Sequence, residues 1–274
     1  MTSRSSLEPC VADDPELGAW QRQLVGAAPE AVLGWAVRTF GDRLVIGSGL
    51  GAEDQLLVHL MVTAGLSIPV FTLDTGRLFP ECHDLMAQTE ERYGIRFQVF
   101  CPEAAEVEAL VGEHGPNLFR QSVALRRRCC EVRKLQPLRR ALAGKAAWVC
   151  GLRGGQSVTR ADLREVEWDS GNGLYKISPL AQWTEAEVWS TIRKHGIPYN
   201  PLHDKGYPSI GCACCTRPTA PGEEVRAGRW WWEEPEHKEC GLHLRVDETA
   251  AVTLKQRPSA GTRRAGQLLR RQPR

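Results

Sequence analysis

Short apolar runs that alternate with longer helix-like stretches are the feature of this sequence that most restricts its fold. Five runs are predicted to be strands, at 44–46, 70–73, 97–100, 147–150 and 174–177. The stretches 53–64, 81–93, 104–111 and 122–142 are predicted to be helices. Strands that alternate with helices indicate an α/β fold with a parallel sheet and helices on both faces. Ligands of such sheets bind beyond the carboxyl ends of the strands, so the loops there are expected to carry the function.

The charge of the chain is concentrated at its C-terminal end. The last twenty residues contain seven basic residues and no acid, whereas the rest carries 28 basic and 33 acidic residues. We expect a helical lead-in at 1–40, an α/β domain at 41–220, a C-terminal segment at 221–249 and a basic tail at 250–274. The tail is predicted to be disordered, because large apolar residues become scarce there, and the Gly-containing segment before it is predicted to be mobile.

The chain contains ten cysteines but no recognisable export signal or apolar run of about 20 residues. We therefore expect a cytoplasmic protein without a membrane span. In a reducing compartment, clustered cysteines are typical of metal binding or redox chemistry rather than of a disulfide framework.

Two close cysteine pairs stand about eighty residues apart, Cys129 with Cys130 and Cys212 with Cys215. Together they supply four thiolates, which suit either tetrahedral zinc or an iron–sulfur cluster. Adjacent cysteines point in different directions, which favours the wider cluster over a single zinc ion. The alternative is that they are buried free thiols. A further cysteine, Cys214, lies inside the second pair.

Cys240 lies apart from both pairs, near Lys238 and His243. A thiol near positive charge has a lowered pKa and reacts as the thiolate, so Cys240 is a candidate nucleophile. The alternative is an ordinary surface cysteine. The remaining cysteines are isolated and predicted to be structural: Cys10, Cys82, Cys101 and Cys150.

Two loops that follow predicted strands suit an anionic ligand. The small residues of the first, at 47–54, let backbone N–H groups approach a phosphate or sulfate, although a plain tight turn explains them as well. The second loop spans 73–77. Basic residues that could pair with phosphate or sulfate, or simply face solvent, recur elsewhere: Arg126, Arg127, Arg128, Lys134, Arg153, Arg160, Arg226 and Arg229.

Eight ordered motifs resemble one enzyme family. They are SGLGAEDQ, LDTGRLFPE, RRRCCEVRKLQPLRRAL, GLRGGQSVTR, ISPLAQWTEAEVW, IPYNPLHDKGYPSIGCACCTRP, AGRWWWE and ECGLH. In this order they resemble the iron–sulfur-containing adenosine 5′-phosphosulfate reductases of bacterial sulfate assimilation. The resemblance covers residues 41–243. Two departures are Gly154-Gly155, where charged residues are usual, and the extra Cys214.

The resemblance implies an adenine nucleotide α-hydrolase-like, PP-loop-like fold and a [4Fe–4S] cluster on Cys129, Cys130, Cys212 and Cys215. Cys240 would attack the sulfonyl sulfur, and thioredoxin or a similar dithiol would release sulfite from the S-sulfocysteine. The cluster would have a structural and electrostatic role. Substrate binding is expected at Ser48, Gly49, Leu73, Thr75, Lys134, Arg160, Arg226, Arg229 and His243.

The resemblance also bears on the alternatives. Relatives that act on the 3′-phosphorylated nucleotide commonly lack the paired cysteines, so their presence favours adenosine 5′-phosphosulfate. An ATP-dependent RNA sulfurtransferase would show an SGGxDS-like loop, where this chain has SGLGAED. A non-enzymatic cluster-binding or zinc module would leave ECGLH and both nucleotide loops unexplained. We expect a homo-oligomer that binds neither nucleic acid nor membranes.

Overall fold

A computed structural model describes residues 15–156 and 162–234. Its centre is a six-stranded sheet in the order β3-β2-β1-β4-β6-β5. The strands are β1 (Leu44–Ser48), β2 (Val70–Leu73), β3 (Phe97–Phe100), β4 (Ala147–Val149), β5 (Val166–Asp169) and β6 (Leu174–Ile177). All neighbouring strands are parallel except β5 and β6, which are antiparallel.

Eight α-helices accompany the sheet in the described residues. They are α1 (Pro15–Leu24), α2 (Pro29–Phe40), α3 (Ala52–Thr63), α4 (Pro80–Tyr93), α5 (Ala104–His114), α6 (Val123–Cys130), α7 (Gln136–Leu142) and α8 (Glu185–His195). Helix α8 begins with a capping box, in which Thr184 and Glu187 exchange side-chain-to-backbone hydrogen bonds. None of these helices combines the length and apolar character needed to cross a membrane.

Alternate side chains of the central strands pack on opposite faces of the sheet. Leu44 and Ile46 of β1 join the larger core, which α2 and α3 cover. Val45, between them in sequence, packs on the other face with Leu138 and Leu142 of α7. Burial on both faces explains the nearly uninterrupted apolar runs of these strands, and it confirms the predicted parallel arrangement with helices on both faces.

The edge strand β5 is the main departure from the predicted strand set. It forms a hairpin with β6, and its turn places Gly173 at a φ of 69°. Its sequence, Val-Glu-Trp-Asp, alternates apolar with acidic residues and lacks the buried apolar run that marked the other strands. An antiparallel edge strand is a common addition to an otherwise parallel sheet.

The predicted helix at 122–142 consists of α6 and α7 joined by a π-helical turn, Glu131–Leu135. Ser122 caps its start by accepting a hydrogen bond from the backbone N–H of Leu125. A π-helical turn adds a residue to one turn of helix and is frequent at functional sites. Here it follows directly after the first cysteine pair.

Candidate active site

A cavity of about 310 Å³ opens at the carboxyl edge of the sheet. The loops after β1, β2 and β4 form its floor, and residues 203–212 and 225–230 form its outer wall. Parallel strands bring these separate loops together because their carboxyl ends share one edge. The predicted residues that line this cavity are Ser48, Gly49, Leu73, Thr75, Lys134, Arg226 and Arg229.

The loop after β1 is organised around Asp54 in the first turn of α3. One carboxylate oxygen of Asp54 accepts hydrogen bonds from the backbone N–H groups of Gly49 and Gly51, at 2.8 and 3.1 Å. Burial raises the pKa of Asp54 to about 7, and neighbouring Glu53 adds to the rise, while the amide hydrogen bonds oppose it. The backbone N–H groups of Gly49 and Gly51, which could otherwise bind an anionic ligand, are thus already hydrogen-bonded to the carboxyl group of Asp54.

The loop after β4 closes tightly on the same carboxyl group. A Cβ atom on Gly151 would lie 2.5 Å from a carboxylate oxygen of Asp54, so only glycine fits there. Arg153 is buried and donates to Glu53 at 2.8 Å, and Gln156 donates to the same oxygen at 3.0 Å. The positions of Gly154 and Gly155, where the sequence departs from its relatives, form a short 3₁₀ turn that supports this network.

Three cationic side chains line the wall opposite the strand ends. Lys134 extends from the π-helical turn, whereas Arg226 and Arg229 come from the C-terminal stretch. Arg229 is buried, and its guanidinium packs so closely that a Cβ on Gly211 would overlap it. The convergence of three cations on one cavity suits a ligand with adjacent anionic groups.

The first cysteine pair lies on one face of α6. Arg126, Cys129, Cys130 and Arg133 follow the i, i+3, i+4, i+7 spacing of a helix face, and all four are buried. The two adjacent cysteines therefore face one common region, because both lie on the same buried face of the helix. This qualifies the expectation that they point in different directions.

The second cysteine pair meets this helix face around a narrow cavity of about 20 Å³. Cys212 begins a 3₁₀ turn, Ala213–Cys215, that presents its sulfurs to α6. The extra Cys214 also lines this cavity, and its sulfur lies 3.7 Å from that of Cys215. We call the cavity and its five cysteines the thiol pocket: Cys129, Cys130, Cys212, Cys214 and Cys215.

The surroundings of the thiol pocket act differently on its thiols. Burial raises the pKa of Cys129, although Arg133 opposes the rise. The contact with Cys215, together with Arg77, lowers the pKa of Cys214, and the same contact raises the pKa of Cys215. The eight cysteines in the described residues are all free thiols.

The chemistry of the pocket fits a group that accepts hydrogen bonds and carries negative charge. The indole N–H of Trp230 and the Nε of Arg133 are buried beside the sulfurs without a hydrogen-bond partner in the described structure. The hydroxyl of Thr75 lies 3.3 Å from the Cys212 sulfur. Among the described residues, no three His, Cys, Asp or Glu side chains are arranged to hold a metal ion.

The thiol pocket and the larger cavity share a wall. Lys134, Cys212, Arg229 and Trp230 line both. Any charge held on the thiols would therefore lie one side-chain layer from a ligand in the larger cavity.

Three predicted site residues, Arg160, Cys240 and His243, lie outside the described residues. Sequence reasoning missed others that the structure places in the site. Arg133 was overlooked although it follows Cys130 at helical spacing, and its guanidinium donates to the Thr75 carbonyl at 2.7 Å. His203 was missed inside the motif NPLHD; burial lowers its pKa, and its ring lies 5.2 Å from that of Trp189. The remaining missed cavity residues are Glu53, Asp54, Gly151, Gln156 and Glu185.

Comparison with known proteins identifies relatives across most of the chain. The phosphoadenosine phosphosulfate reductase domain matches residues 43–218. The adenosine 5′-phosphosulfate reductase of Allochromatium vinosum is 55% identical over 74% of this chain and 80% of its own length. That of Burkholderia cepacia is 51% identical over 74% of this chain and 81% of its own length.

Solved structures agree with this relationship. The phosphoadenylyl-sulfate reductase of Candida auris, in a phosphate complex, superposes with a TM-score of 0.64 and 28% identity, covering 73% of this chain and 96% of that chain. The FMN adenylyltransferase of Candida glabrata superposes with a TM-score of 0.51 and 15% identity, covering 88% of this chain and 83% of that chain, and it shares the fold alone. Family domain, relatives and fold agree: this chain belongs to the phosphoadenosine phosphosulfate reductase family.

Proposed function

We propose that the protein reduces adenosine 5′-phosphosulfate to sulfite and AMP, in the cytoplasm, with electrons from thioredoxin or a similar dithiol protein. The observation that carries the proposal is the shared wall, where Lys134 and Arg229 line both the cavity at the strand ends and the thiol pocket. The close relatives named adenosine 5′-phosphosulfate reductase support the same activity.

Different parts of the cavity suit the nucleoside and the phosphosulfate group of the substrate. In the proposal, Ser48, Gly49 and Leu73 hold the nucleoside against the strand ends, with Thr75 and Arg160 beside it. The anionic phosphosulfate extends toward Lys134, Arg226 and Arg229. His243 belongs to the same subsite in the proposal. These cations lower the electrostatic barrier that anionic oxygens present to an incoming thiolate.

The reaction is a transfer of a sulfonate group followed by thiol exchange. The Cys240 thiolate attacks the sulfonyl sulfur, an S–S bond forms, and the S–O bond to phosphate breaks with its electron pair leaving on AMP. A dithiol thiolate then attacks Cys240 Sγ, and sulfite leaves with the electron pair of the S–S bond. The second thiol of the donor resolves the mixed disulfide. The transferred sulfur is reduced by two electrons and the donor dithiol becomes a disulfide.

The thiol pocket is proposed to hold a [4Fe–4S] cluster on Cys129, Cys130, Cys212 and Cys215. Four buried thiols around one cavity, with the free N–H groups of Trp230 and Arg133 beside them, support this assignment. When bound, the cluster supplies fixed negative charge and links α6 to the second cysteine pair. Lys134 and Arg229 then hold positive charge between that centre and the substrate.

The composition of the cavity supports the non-phosphorylated nucleotide over its 3′-phosphorylated form. Four Lys and Arg side chains of the described residues line the cavity. Arg153 is already paired with Glu53, and the other three are assigned to the phosphosulfate, so a further 3′-phosphate would have no cation of its own there. The loop amides of Gly49 and Gly51 are bound by Asp54. They are therefore not free to hold the pyrophosphate that an ATP-dependent sulfurtransferase needs.

Anaerobic purification followed by an assay of sulfite release tests the function directly. Both nucleotides are supplied with thioredoxin, and kcat/KM is compared. We expect sulfite from both, with a higher kcat/KM for adenosine 5′-phosphosulfate. A higher value for the 3′-phosphorylated nucleotide would overturn the substrate assignment. No sulfite from either, in protein with a full complement of iron, would overturn the activity.

A further inference from the structure

A buried ion pair holds the C-terminal segment, 221–249, at Glu233, ahead of Cys240 in the sequence. The Nε and one terminal nitrogen of the Arg126 guanidinium donate to the two carboxylate oxygens of Glu233, at 3.0 and 2.8 Å. The two side chains are only 1% and 3% exposed. Burial opposes the charge of Arg126, yet the hydrogen bonds that it donates to Glu233 keep the pKa of this guanidinium above its usual value.

Trp230 occupies an unusual position beside this pair. Its backbone has a φ of 41°, in the left-handed region that residues other than glycine seldom adopt. Its ring is contacted by the guanidinium groups of Arg126 and Arg229, at 4.9 and 4.7 Å from the centroid. The backbone N–H of Trp230 donates to the carbonyl of Cys215, and the backbone carbonyl of Trp230 accepts from the N–H of Glu233. A strained conformation persists only where its surroundings over-determine it, and such residues cluster at functional sites.

The desolvation cost of the buried Arg126–Glu233 pair indicates that the pair does more than stabilise the fold. Desolvation of two buried charges offsets much of their attraction, and an apolar pair of similar size often serves stability equally well. A two-pronged guanidinium–carboxylate contact, by contrast, fixes both distance and orientation. Here it fixes Glu233 to the helix that carries Cys129 and Cys130, while Trp230 ties the same stretch to Cys215.

We propose that Arg126, Glu233 and Trp230 form an anchor that fixes the origin of the stretch from Glu233 to Cys240, so that the Cys240 thiolate reaches the sulfonyl sulfur in the right orientation. This inference rests on the proposed function. Cys240 follows Glu233 by seven positions in the sequence, and a chain of seven residue steps spans at most about 25 Å. With so short a tether, the position of its origin limits where the thiolate can go. Arg126 and Glu233 are positioning residues, since they act through Cys240.

The test uses Glu233→Gln, which keeps the shape of the side chain but removes its charge, in full-length, anaerobically purified protein. Substrate is added without thioredoxin, and formation of the sulfonate adduct on Cys240 is followed by mass spectrometry. We expect adduct formation to slow by about 10- to 100-fold, as misplaced reacting groups do. Iron content and AMP affinity should stay within twofold of wild type. Glu233→Asp, which retains the charge, should recover part of the rate.

A matched control lies nearby in the chain. Arg217 and Glu223 form an equally two-pronged pair, at 2.9 Å for both contacts, but their side chains are about one third exposed. Glu223→Gln should leave the rate of adduct formation unchanged. This control shows whether a slower rate requires loss of the anchor at Glu233, or whether the loss of any paired carboxylate in the C-terminal third has the same effect.

The outcomes distinguish the anchor from the proposed function. If wild-type protein forms no adduct on Cys240, the proposed function fails. If wild type forms the adduct and Glu233→Gln forms it equally fast, the anchor is wrong. A rate loss that only follows the loss of iron or of AMP binding also overturns it, since that would be a purely structural effect. If Glu233→Gln does not fold, Arg126→Lys decides, because it keeps the charge but loses the two-pronged contact, and a wild-type rate there refutes the anchor.

Discussion

The two cavities of the site share a wall but are built in different ways. The larger cavity is made by loops at the carboxyl ends of neighbouring strands, among them residues 47–54 and 150–153. The thiol pocket lies outside the sheet and is made by side chains from α6 and from residues 212–215 and 230. The first depends on sheet topology, whereas the second depends on packing between segments about eighty residues apart.

This difference predicts that the two cavities respond differently to mutation. Changes in the wall of the larger cavity should alter binding or turnover while the fold and the thiol pocket remain. Changes of a thiol should remove whatever the pocket holds, and activity with it. Cys240 lies outside the described residues. In the proposed mechanism it is the nucleophile and holds neither the nucleotide nor the cluster, so its loss should spare both cavities.

The largest effect is expected for Cys240→Ser. An alcohol is far less ionised than a thiol near neutral pH, so sulfite release should fall by at least about 1,000-fold. Iron content and AMP binding should remain those of wild type. The control is Cys101→Ser, which removes an exposed cysteine just after β3 and should retain full activity. Near-normal sulfite release by Cys240→Ser would refute the mechanism.

A loss of both iron and activity is expected for Cys212→Ser. Its sulfur is buried in the thiol pocket beside Thr75, and a serine hydroxyl is a poor substitute for a thiolate ligand. Purified without air, the variant should contain less than about a tenth of the wild-type iron. Cys82→Ser, a buried cysteine outside the pocket, is the control and should keep its iron. Full iron in Cys212→Ser would mean that the pocket does not use this thiol.

A smaller effect, confined to the larger cavity, is expected for Lys134→Ala. Removing one cation from the phosphosulfate subsite should lower kcat/KM by about 100-fold, the usual scale for one electrostatic contact to a developing charge. Iron content should not change, because Lys134 is not a thiol ligand. Arg139→Ala, at an exposed position on α7, should behave as wild type. Equal kcat/KM values for Lys134→Ala and wild type would remove Lys134 from the subsite.

The same contrast shows what the sequence can predict. Five of the six strands and the position of the larger cavity follow from apolar runs and their loops, because a parallel sheet buries both faces of each strand. The edge strand β5 escaped because two acidic residues, Glu167 and the buried Asp169, interrupt its apolar pattern. The roles of Arg133 and Glu233 escaped for another reason: their partners, Thr75 and Arg126, are more than fifty residues away, and no local pattern encodes that contact.

The smallest effect, and the sharpest test of the larger cavity, concerns Asp54 and pH. Burial raises its pKa to about 7 in the folded protein, whereas an unfolded chain releases this proton near pH 3.9, to within about half a unit. Between these values the folded state binds more protons, so the contribution of Asp54 to stability is complete below the lower value and is lost as pH rises toward the higher one. The asparagine in Asp54→Asn has no such proton, and its amide oxygen can still accept from Gly49 and Gly51.

We therefore expect Asp54→Asn to gain stability relative to wild type as pH rises from 5 to 8, by about 2–3 kcal/mol. Thermal unfolding of both proteins across this range, without air, measures the difference. Glu187→Gln gives the opposite comparison, since the backbone N–H of Thr184 lowers the pKa of Glu187. The stabilisation from Glu187 is lost as pH falls, so wild type and Glu187→Gln should converge in acid. Parallel pH profiles for Asp54→Asn and wild type would show that the carboxyl group is already ionised in the folded protein, and that the amides of the first loop bind a full negative charge.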